Sequence, residues 1–253
     1  MKGLAFPLLV GICLSVGGRL DAAPAPPQAT AGTIKGHVRL NGKLPGNPVI
    51  RMGRDPMCAS INRGKQIVQE TVMAALDGSL ANVFVRLQGT FPKTPVPTTP
   101  VVIDQRACVY SPRVVGVRVG QPLQLKNSDN LLHNVHGLSG KNNSFNVGQA
   151  VAGVVTSFTL KEEEVMLHLK CDVHSWMNAW VGVVPNPYFA VTPASGNFEI
   201  PNVPAGTYTI QAWQEQYGFV SKMVTVKPGA ATTIDFTYAA APEPAGRGPA
   251  PRK

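Results

Sequence analysis

Short runs that alternate hydrophobic and polar residues dominate this chain. Runs at residues 34–40, 81–88, 165–171 and 207–213 combine β-branched or aromatic residues with partial period-two alternation, a pattern that predicts half-buried strands. Gly, Pro, Asn and Asp separate the runs and predict turns. No long segment has a helical period, and the segment most open to a helix, residues 69–75, is a weak candidate. The pattern predicts an all-β protein made of two Greek-key β-sandwiches.

The length and the distribution of proline agree with two domains. A chain of 253 residues is long enough for two sandwiches of ordinary size. The Pro-rich stretch FPKTPVPTTP, residues 91–100, is a candidate linker between them. Pro, Ala and Gly dominate residues 241–253 as well, and this composition predicts a disordered tail.

The N-terminus has the layout of a secretory signal peptide. Lys2 precedes the apolar run LAFPLLVGICLSVGG, and small residues follow near residue 23. This layout predicts a signal peptide over residues 1–23 and a periplasmic or secreted protein. The run is short and Gly-rich for a membrane span, so we expect no stable membrane insertion once the signal is removed. An uncleaved anchor is the alternative.

Metal-binding side chains cluster in two segments. Cys171, His174 and Met177 lie within seven residues in KCDVHSWMNAW, and His133 and His136 lie upstream in NSDNLLHNVHGL. A thiolate, two imidazoles and a thioether are the donors that an electron-transfer copper site requires. The sequence therefore predicts one copper ion that cycles between Cu(I) and Cu(II). Zinc is the alternative, although the Cys-x2-Cys spacing of many structural zinc sites is missing.

These segments resemble the cupredoxins, the family of plastocyanin and azurin, over residues 96–185. In that family a strand that ends in an Asn-rich turn carries His-Asn, which matches His133 and Asn134 after LQLKNSD. A later segment carries Cys-x2-His followed by Met, which matches Cys171, His174 and Met177. The resemblance implies a cupredoxin-like domain with these four donors around one copper ion. It also implies that Asn134 makes a hydrogen bond near the thiolate.

The sequence departs from the family at the methionine. Plastocyanin-like proteins usually place Met four residues after the histidine, whereas only Ser175 and Trp176 separate His174 from Met177 here. His136 is therefore the alternative fourth donor. Trp176 lies inside the ligand loop, and we expect it to line the site or to form part of an exposed docking patch.

The two ends of the chain resemble another β-sandwich family. Residues 188–238 contain Thr, a Gly turn, Phe and a Pro-Ala-Gly-Thr-Tyr turn, as in carboxypeptidase regulatory-like or transthyretin-like domains. The matching positions are Thr192, Gly196, Phe198, Pro204, Gly206, Thr207 and Tyr208. An opening strand of the Gly-x-Val type lies at residues 36–38. We infer a discontinuous domain of residues 32–95 and 186–240, interrupted by the cupredoxin-like domain.

Three cysteines remain after the predicted signal peptide. If Cys171 binds copper, Cys58 and Cys108 are left as a pair in an oxidising compartment, where disulfides persist. The count favours a disulfide between them. Two unrelated buried thiols are the alternative.

Composition narrows the classes of function and partner. The chain carries a net charge of +9, which favours an acidic redox partner protein. The basic residues are scattered and aromatic residues are sparse, so we expect no nucleic-acid binding. The chain has no catalytic motif that we recognise, and an electron carrier, not an enzyme, is predicted, with docking around the His174 ring and Trp176. The alternatives are copper storage or delivery, or a carbohydrate-binding or ligand-binding accessory sandwich without redox activity.

Overall fold

The computed structural model describes residues 31–240, and it confirms the all-β prediction. The predicted signal peptide and the tail at 241–253 lie outside the described residues. The elements are β1 (Gly32–Asn41), a 3-10 helix (Met52–Arg54), α1 (Pro56–Ile61), β2 (Phe84–Gln88), β3 (Val101–Arg106), β4 (Val109–Ser111), β5 (Val114–Arg118), β6 (Pro122–Asn127), β7 (His133–Leu138), β8 (Phe145–Gln149), β9 (Val155–Thr159), β10 (Glu164–Lys170), β11 (Asn178–Val184), β12 (Phe189–Val191), β13 (Asn197–Val203), β14 (Gly206–Gln214), β15 (Gly218–Val226), β16 (Ala231–Thr233) and β17 (Phe236–Ala239).

Strands from both ends of the chain form one sandwich. In its first sheet β1 pairs antiparallel with β13 and parallel with β16 and β17, and its second sheet has the order β12-β2-β14-β15. Alternate residues of β1, among them Ile34 and Val38, point into a core that also contains Ile210 and Phe236. The core therefore joins segments that are some 200 residues apart in the sequence.

The middle of the chain forms a second sandwich. Its sheets have the orders β5-β11-β10-β7-β8 and β4-β3-β6-β9. Among strands that are distant in sequence, β5 and β11 pair in parallel, whereas β7 and β10 pair antiparallel. Leu125, Val135, Leu169 and Val181 belong to one buried core between the two sheets.

A small apolar cluster and an ion pair join the two sandwiches. The Phe84 ring packs against the backbone of β11, where a Cβ on Gly182 would lie 2.4 Å from the ring. Only glycine permits this approach without a shift of the ring. Beside it, the Arg113 guanidinium donates two hydrogen bonds of 2.7 and 2.8 Å to the Glu215 carboxylate.

The segment before β2 contains the one α-helix of the described range. Asp55 caps α1 because its Oδ1 accepts a hydrogen bond from the Cys58 N–H, and Pro56 occupies the first helical position. The weak helix candidate at residues 69–75 is wrong, because isolated bridges hold this segment in an irregular, non-helical path. Within residues 31–240, no helix has the length and hydrophobicity needed to cross a membrane.

Candidate metal centre

Strand ends bring three metal-binding side chains together at one end of the second sandwich. His133 is the first residue of β7, and Cys171 directly follows its antiparallel neighbour β10. His174 lies in the loop that leads to β11, which two backbone hydrogen bonds close: Cys171 N–H to Met177 O and Met177 N–H to His174 O. The sheet thus fixes two donors, and this tight loop fixes the third.

The three donor atoms converge in a buried space. His133 Nδ1 lies 3.0 Å from His174 Nδ1, and His174 Nδ1 lies 3.7 Å from Cys171 Sγ. One donor atom from each of the three residues lies within 4.8 Å of the other two, and all three side chains are buried. A thiol and two imidazoles at these separations can hold one metal ion.

Each imidazole is oriented by a carboxylate on its far side. His133 Nε2–H donates to Asp129 Oδ2 at 3.0 Å, and His174 Nε2–H donates to Asp55 Oδ2 at 2.9 Å. With both Nε2 atoms protonated, the two Nδ1 lone pairs of neutral rings face each other and the Cys171 sulfur. Such lone pairs repel one another unless a proton or a cation lies between them. The arrangement therefore fits a metal ion and supplies the carboxylate–histidine pairs that orient metal ligands.

The polypeptide stabilises Cys171 as a thiolate. Burial raises the pKa of Cys171, but a hydrogen bond from His133 and the backbone N–H groups of Asn134, His174 and Val173 outweigh it and bring this pKa to about 7. The backbone N–H of His174 donates to Cys171 Sγ at 3.3 Å. Because a metal ligand must be deprotonated, this environment favours metal binding near neutral pH.

His133 and Asp129 form a buried, coupled pair. Burial lowers the pKa of His133, but Asp129 and Cys171 outweigh it and raise this pKa above its ordinary value. Burial also raises the pKa of Asp129, but hydrogen bonds from His133 and from the N–H groups of Cys108 and Ala107 lower it overall. The carboxylate therefore remains ionised behind the imidazole.

The structure places the two candidates for a fourth ligand differently. Met177 is buried in the same apolar core as Cys171. His136 lies on the opposite face of β7 from His133, since residues three apart in a strand alternate sides. Its Nδ1 contacts Asp172 Oδ2 at 3.0 Å, and it is partly exposed. His136 is therefore not brought to the donor cluster.

Asn134 acts beside the thiolate through its backbone and ties the ligand loop through its side chain. Its N–H is one of the amides that face Cys171. Its Oδ1 accepts a hydrogen bond of 2.5 Å from the Asp172 N–H, and its Nδ2 donates to Asn146 and Asp172. The side chain thus links β7 and β8 to the residue that follows Cys171.

A cap formed by residues 50–70 covers the cluster. His174 is only 1% exposed because Asp55 and Cys58 lie over its Nε2 edge. The expectation that the His174 ring reaches solvent is therefore wrong. Trp176 is partly buried, not part of an open patch, and its Nε1–H donates to Cys108 O at 2.9 Å.

A disulfide holds this cap in place. Cys58 and Cys108 are bonded, with their Cα atoms 5.8 Å apart, and Cys171 is the free cysteine of the described range. The bridge closes a loop of 50 residues, for which chain entropy gives about 4 kcal/mol of stabilisation. The cap and the second sandwich are thus covalently joined beside the donor cluster.

Two carboxylates that contact the imidazoles, Asp55 and Asp129, did not emerge from the sequence. Asp55 lies more than a hundred residues from His174, and its Asp-Pro pair indicates only a helix start. Asp129 lies four residues before His133, in an Asn-rich turn where a carboxylate is ordinary. Their proximity to the imidazoles depends on the tertiary structure.

One known sequence profile matches part of the chain. Residues 151–234 match the sequence profile described as polysaccharide lyase family 4, domain II. This segment overlaps parts of both sandwich cores. Comparison with curated proteins gives no significant sequence match.

Several solved structures share similarity with part of the chain. A Cu-containing nitrite reductase from Thermus scotoductus SA-01 has 17% identity and a TM-score of 0.32, covering 39% of this chain and 25% of that one. A purple cupredoxin from Nitrosopumilus maritimus has 22% identity and a TM-score of 0.29, covering 32% and 97%. The Cu(I) form of an amicyanin mutant has 20% identity and a TM-score of 0.30, covering 39% and 97%. The similarity to cupredoxins is distant and partial, and the carboxypeptidase regulatory-like resemblance stays a prediction.

Proposed function

We propose that this protein is an exported, mononuclear copper protein that carries single electrons. The observation that carries the proposal is the convergence of His133 Nδ1, Cys171 Sγ and His174 Nδ1 in one buried cluster. When bound there, copper would supply a reversible one-electron change between Cu(I) and Cu(II). A thiolate with two imidazoles is the trigonal donor set of electron-transfer copper sites, which favours copper over zinc.

The residues around the donors keep the site rigid and dry. Asp129 and Asp55 fix the two rings, and backbone amides fix the sulfur, so the donors have little freedom to rearrange when the charge of the ion changes. The apolar core that contains Cys171 and Met177 excludes water. A rigid, enclosed donor set suits electron transfer, because little reorganisation accompanies it.

The lining of a neighbouring cavity favours a carrier over an enzyme. A cavity of about 150 Å³ lies between the cap and the second sandwich, and its lining includes Trp176 and Met177. Neither His133, Cys171 nor His174 lines it. A copper enzyme requires an open coordination position beside a substrate pocket, and this cavity does not reach the three donors.

Because His174 is buried, the docking surface for the redox partner is proposed elsewhere than around its ring. Val173 and Leu132 are 52% and 51% exposed, and each is the direct neighbour of a donor residue in sequence. We place the partner contact over these two side chains in place of the covered His174 ring. The net charge of +9 favours an acidic partner, whose approach salt would slow.

The enclosure of the site also bears on the alternatives. Copper delivery requires that a partner's donors reach the ion, and the cap with its disulfide closes one side of the cluster. This favours a carrier over a storage or delivery protein. A ligand-binding role for the other sandwich is compatible with either function.

Copper loading of matched histidine variants tests the ligand set. The wild-type protein should bind one copper ion per chain with a strong thiolate-to-copper visible band. His133→Gln should weaken binding and change the band, while His136→Gln should leave both intact, since His136 lies outside the cluster. Cys171→Ser should abolish the band with the fold retained in circular dichroism. A visible band that survives in Cys171→Ser would overturn the assignment.

Redox titration tests the carrier function itself. The copper-loaded protein should be reduced and reoxidised reversibly, with one electron per chain and without loss of metal. An acidic one-electron acceptor should react more slowly as ionic strength rises. If copper dissociates on reduction, delivery becomes the better description.

A further inference from the structure

The disulfide lies on the far side of the two imidazoles from Cys171. His174 is placed between two sulfurs: its Nδ1 is 3.7 Å from Cys171 Sγ, and its Nε2 is 3.6 Å from Cys58 Sγ. All three of these side chains are buried. The proposed copper ligands use only the Nδ1 side, which leaves the disulfide side without an assigned role beyond covalent linkage.

Two sets of metal-binding groups surround the disulfide. Asp55, Cys58 and His174 have donor atoms within 4.8 Å of one another, and so do Cys108, Asp129 and His133. Each set contains one sulfur of the bridge, one carboxylate and one imidazole, and the S–S bond joins the two sets. The six groups therefore surround a single region.

Backbone hydrogen bonds fix both carboxylates beside the sulfurs. The Cys58 N–H donates to Asp55 Oδ1 at 2.9 Å, and the Cys108 N–H donates to Asp129 Oδ2 at 2.8 Å. Each cysteine thus holds the carboxylate of its own set in place. The carboxylates also have spare lone pairs, because an ionised carboxylate can accept about four hydrogen bonds.

We propose that the dithiol form of Cys58 and Cys108 is a second metal site, for a thiophilic cation such as Zn²⁺ or Cu⁺. Two thiolates and the carboxylates of Asp55 and Asp129 provide four donors, the number that tetrahedral zinc takes. In the disulfide form the sulfurs are bonded to each other and are not available as thiolates, so the second site exists only after reduction. This second site uses none of the donor atoms His133 Nδ1, Cys171 Sγ and His174 Nδ1, although Asp55 and Asp129 also orient the two imidazoles.

The chemical step is thiol–disulfide exchange. Both sulfurs of the bridge are buried, so a small external dithiol reaches one of them when the cap opens locally. The dithiol attacks that sulfur, the S–S bond breaks, and resolution of the mixed disulfide leaves two thiols in this protein and one disulfide in the reductant. Two electrons pass from the dithiol to the bridge. Metal binding then releases the two thiol protons.

Cobalt binding by a variant without the first site tests the proposal. In Cys171→Ser, Co²⁺ added to the dithiol-reduced protein, after anaerobic removal of the reductant, should bind with one ion per chain. The spectrum should show thiolate-to-cobalt charge transfer. The same variant with the disulfide intact should lack this band. The triple variant Cys58→Ser, Cys108→Ser, Cys171→Ser should also lack it and should bind Co²⁺ at least tenfold more weakly.

A thermal melt covers the case in which loss of the bridge loosens the fold. The reduced Cys171→Ser protein and the triple variant both lack the bridge, but only the first has the two thiols. Co²⁺ should raise the melting temperature of the first and not of the second. The proposal is overturned if the reduced protein shows no thiolate band, or if the triple variant gains the same stabilisation. Copper loading of the wild-type protein with its disulfide intact is a separate measurement. Failure of the copper proposal can therefore be told apart from failure of the second-site proposal.

Discussion

The Asp129→Asn substitution tests how the thiolate of the metal centre is stabilised. Asp129 raises the pKa of His133 by accepting a hydrogen bond from its Nε2–H, and His133 is the largest contributor that lowers the pKa of Cys171. Asparagine has nearly the same size but no charge. We therefore expect His133 to become less basic and its hydrogen bond to the sulfur to weaken.

The size of the effect follows from the thiol pKa. The pKa of the Cys171 thiol falls from the ordinary 9.0 to about 7 in this site, which corresponds to a preference for the thiolate of about 3 kcal/mol. The backbone N–H groups of Asn134, His174 and Val173 supply the remainder of this preference and are unaffected. The pKa of Cys171 in the variant should therefore rise from about 7 part of the way toward 9.0.

The measurement is the ultraviolet absorbance of the thiolate in metal-free protein as pH rises. With Cys58 and Cys108 in a disulfide, Cys171 is the thiol that titrates in the described range, and Cys171→Ser provides the blank. The lowered pKa means that this thiolate adds stability that is fully present above the unfolded pKa near 9 and is lost as pH falls through about 7. The free energy of unfolding, measured with urea, should rise less between about pH 7 and pH 9 in Asp129→Asn than in the wild-type protein. An unchanged pKa in the variant would refute the role of the Asp129–His133 pair.

Two further substitutions probe the cap and the domain junction. Asp55→Asn should weaken copper binding by about 10- to 100-fold, because it loosens the His174 imidazole that this carboxylate orients. Equilibrium dialysis measures the change. Asp77→Asn, which lies outside the three clusters of metal-binding groups, is the control and should have no effect. Gly182→Ala should destabilise the protein by about 1–3 kcal/mol in urea unfolding, since its Cβ would lie 2.4 Å from the Phe84 ring. Gly46→Ala, where no atom lies within 4 Å of the added Cβ, is the matched control, and equal losses in both would contradict the packing argument.

Much of the fold follows from local sequence patterns. Strands such as β1 and β14 coincide with alternating runs, because a half-buried strand needs one apolar face. The helix at Pro56–Ile61 was missed because six residues are too few for a detectable period. Its only local signal is the Asp55-Pro56 pair, a helix cap that also begins many turns.

The sequence predicts the three donors of the candidate metal centre, His133, Cys171 and His174. Cys171 and His174 share one loop, and His133 begins the neighbouring strand, so donor chemistry and strand pairing together predict their convergence. The face of His136 also follows from the strand period, since residues three apart point to opposite sides. The chain itself therefore specifies which residue types can hold a metal ion.

Only the tertiary structure decides what lies around these donors. Asp55 and Cys58 reach His174 across more than a hundred residues, because the cap folds back over the second sandwich and is bonded to Cys108. Local periodicity carries no information about such contacts, which depend on packing between distant segments. The sequence determines the donors, whereas the packing of the cap determines that His174 is buried, that its ring is held by a carboxylate, and that a disulfide lies beside it.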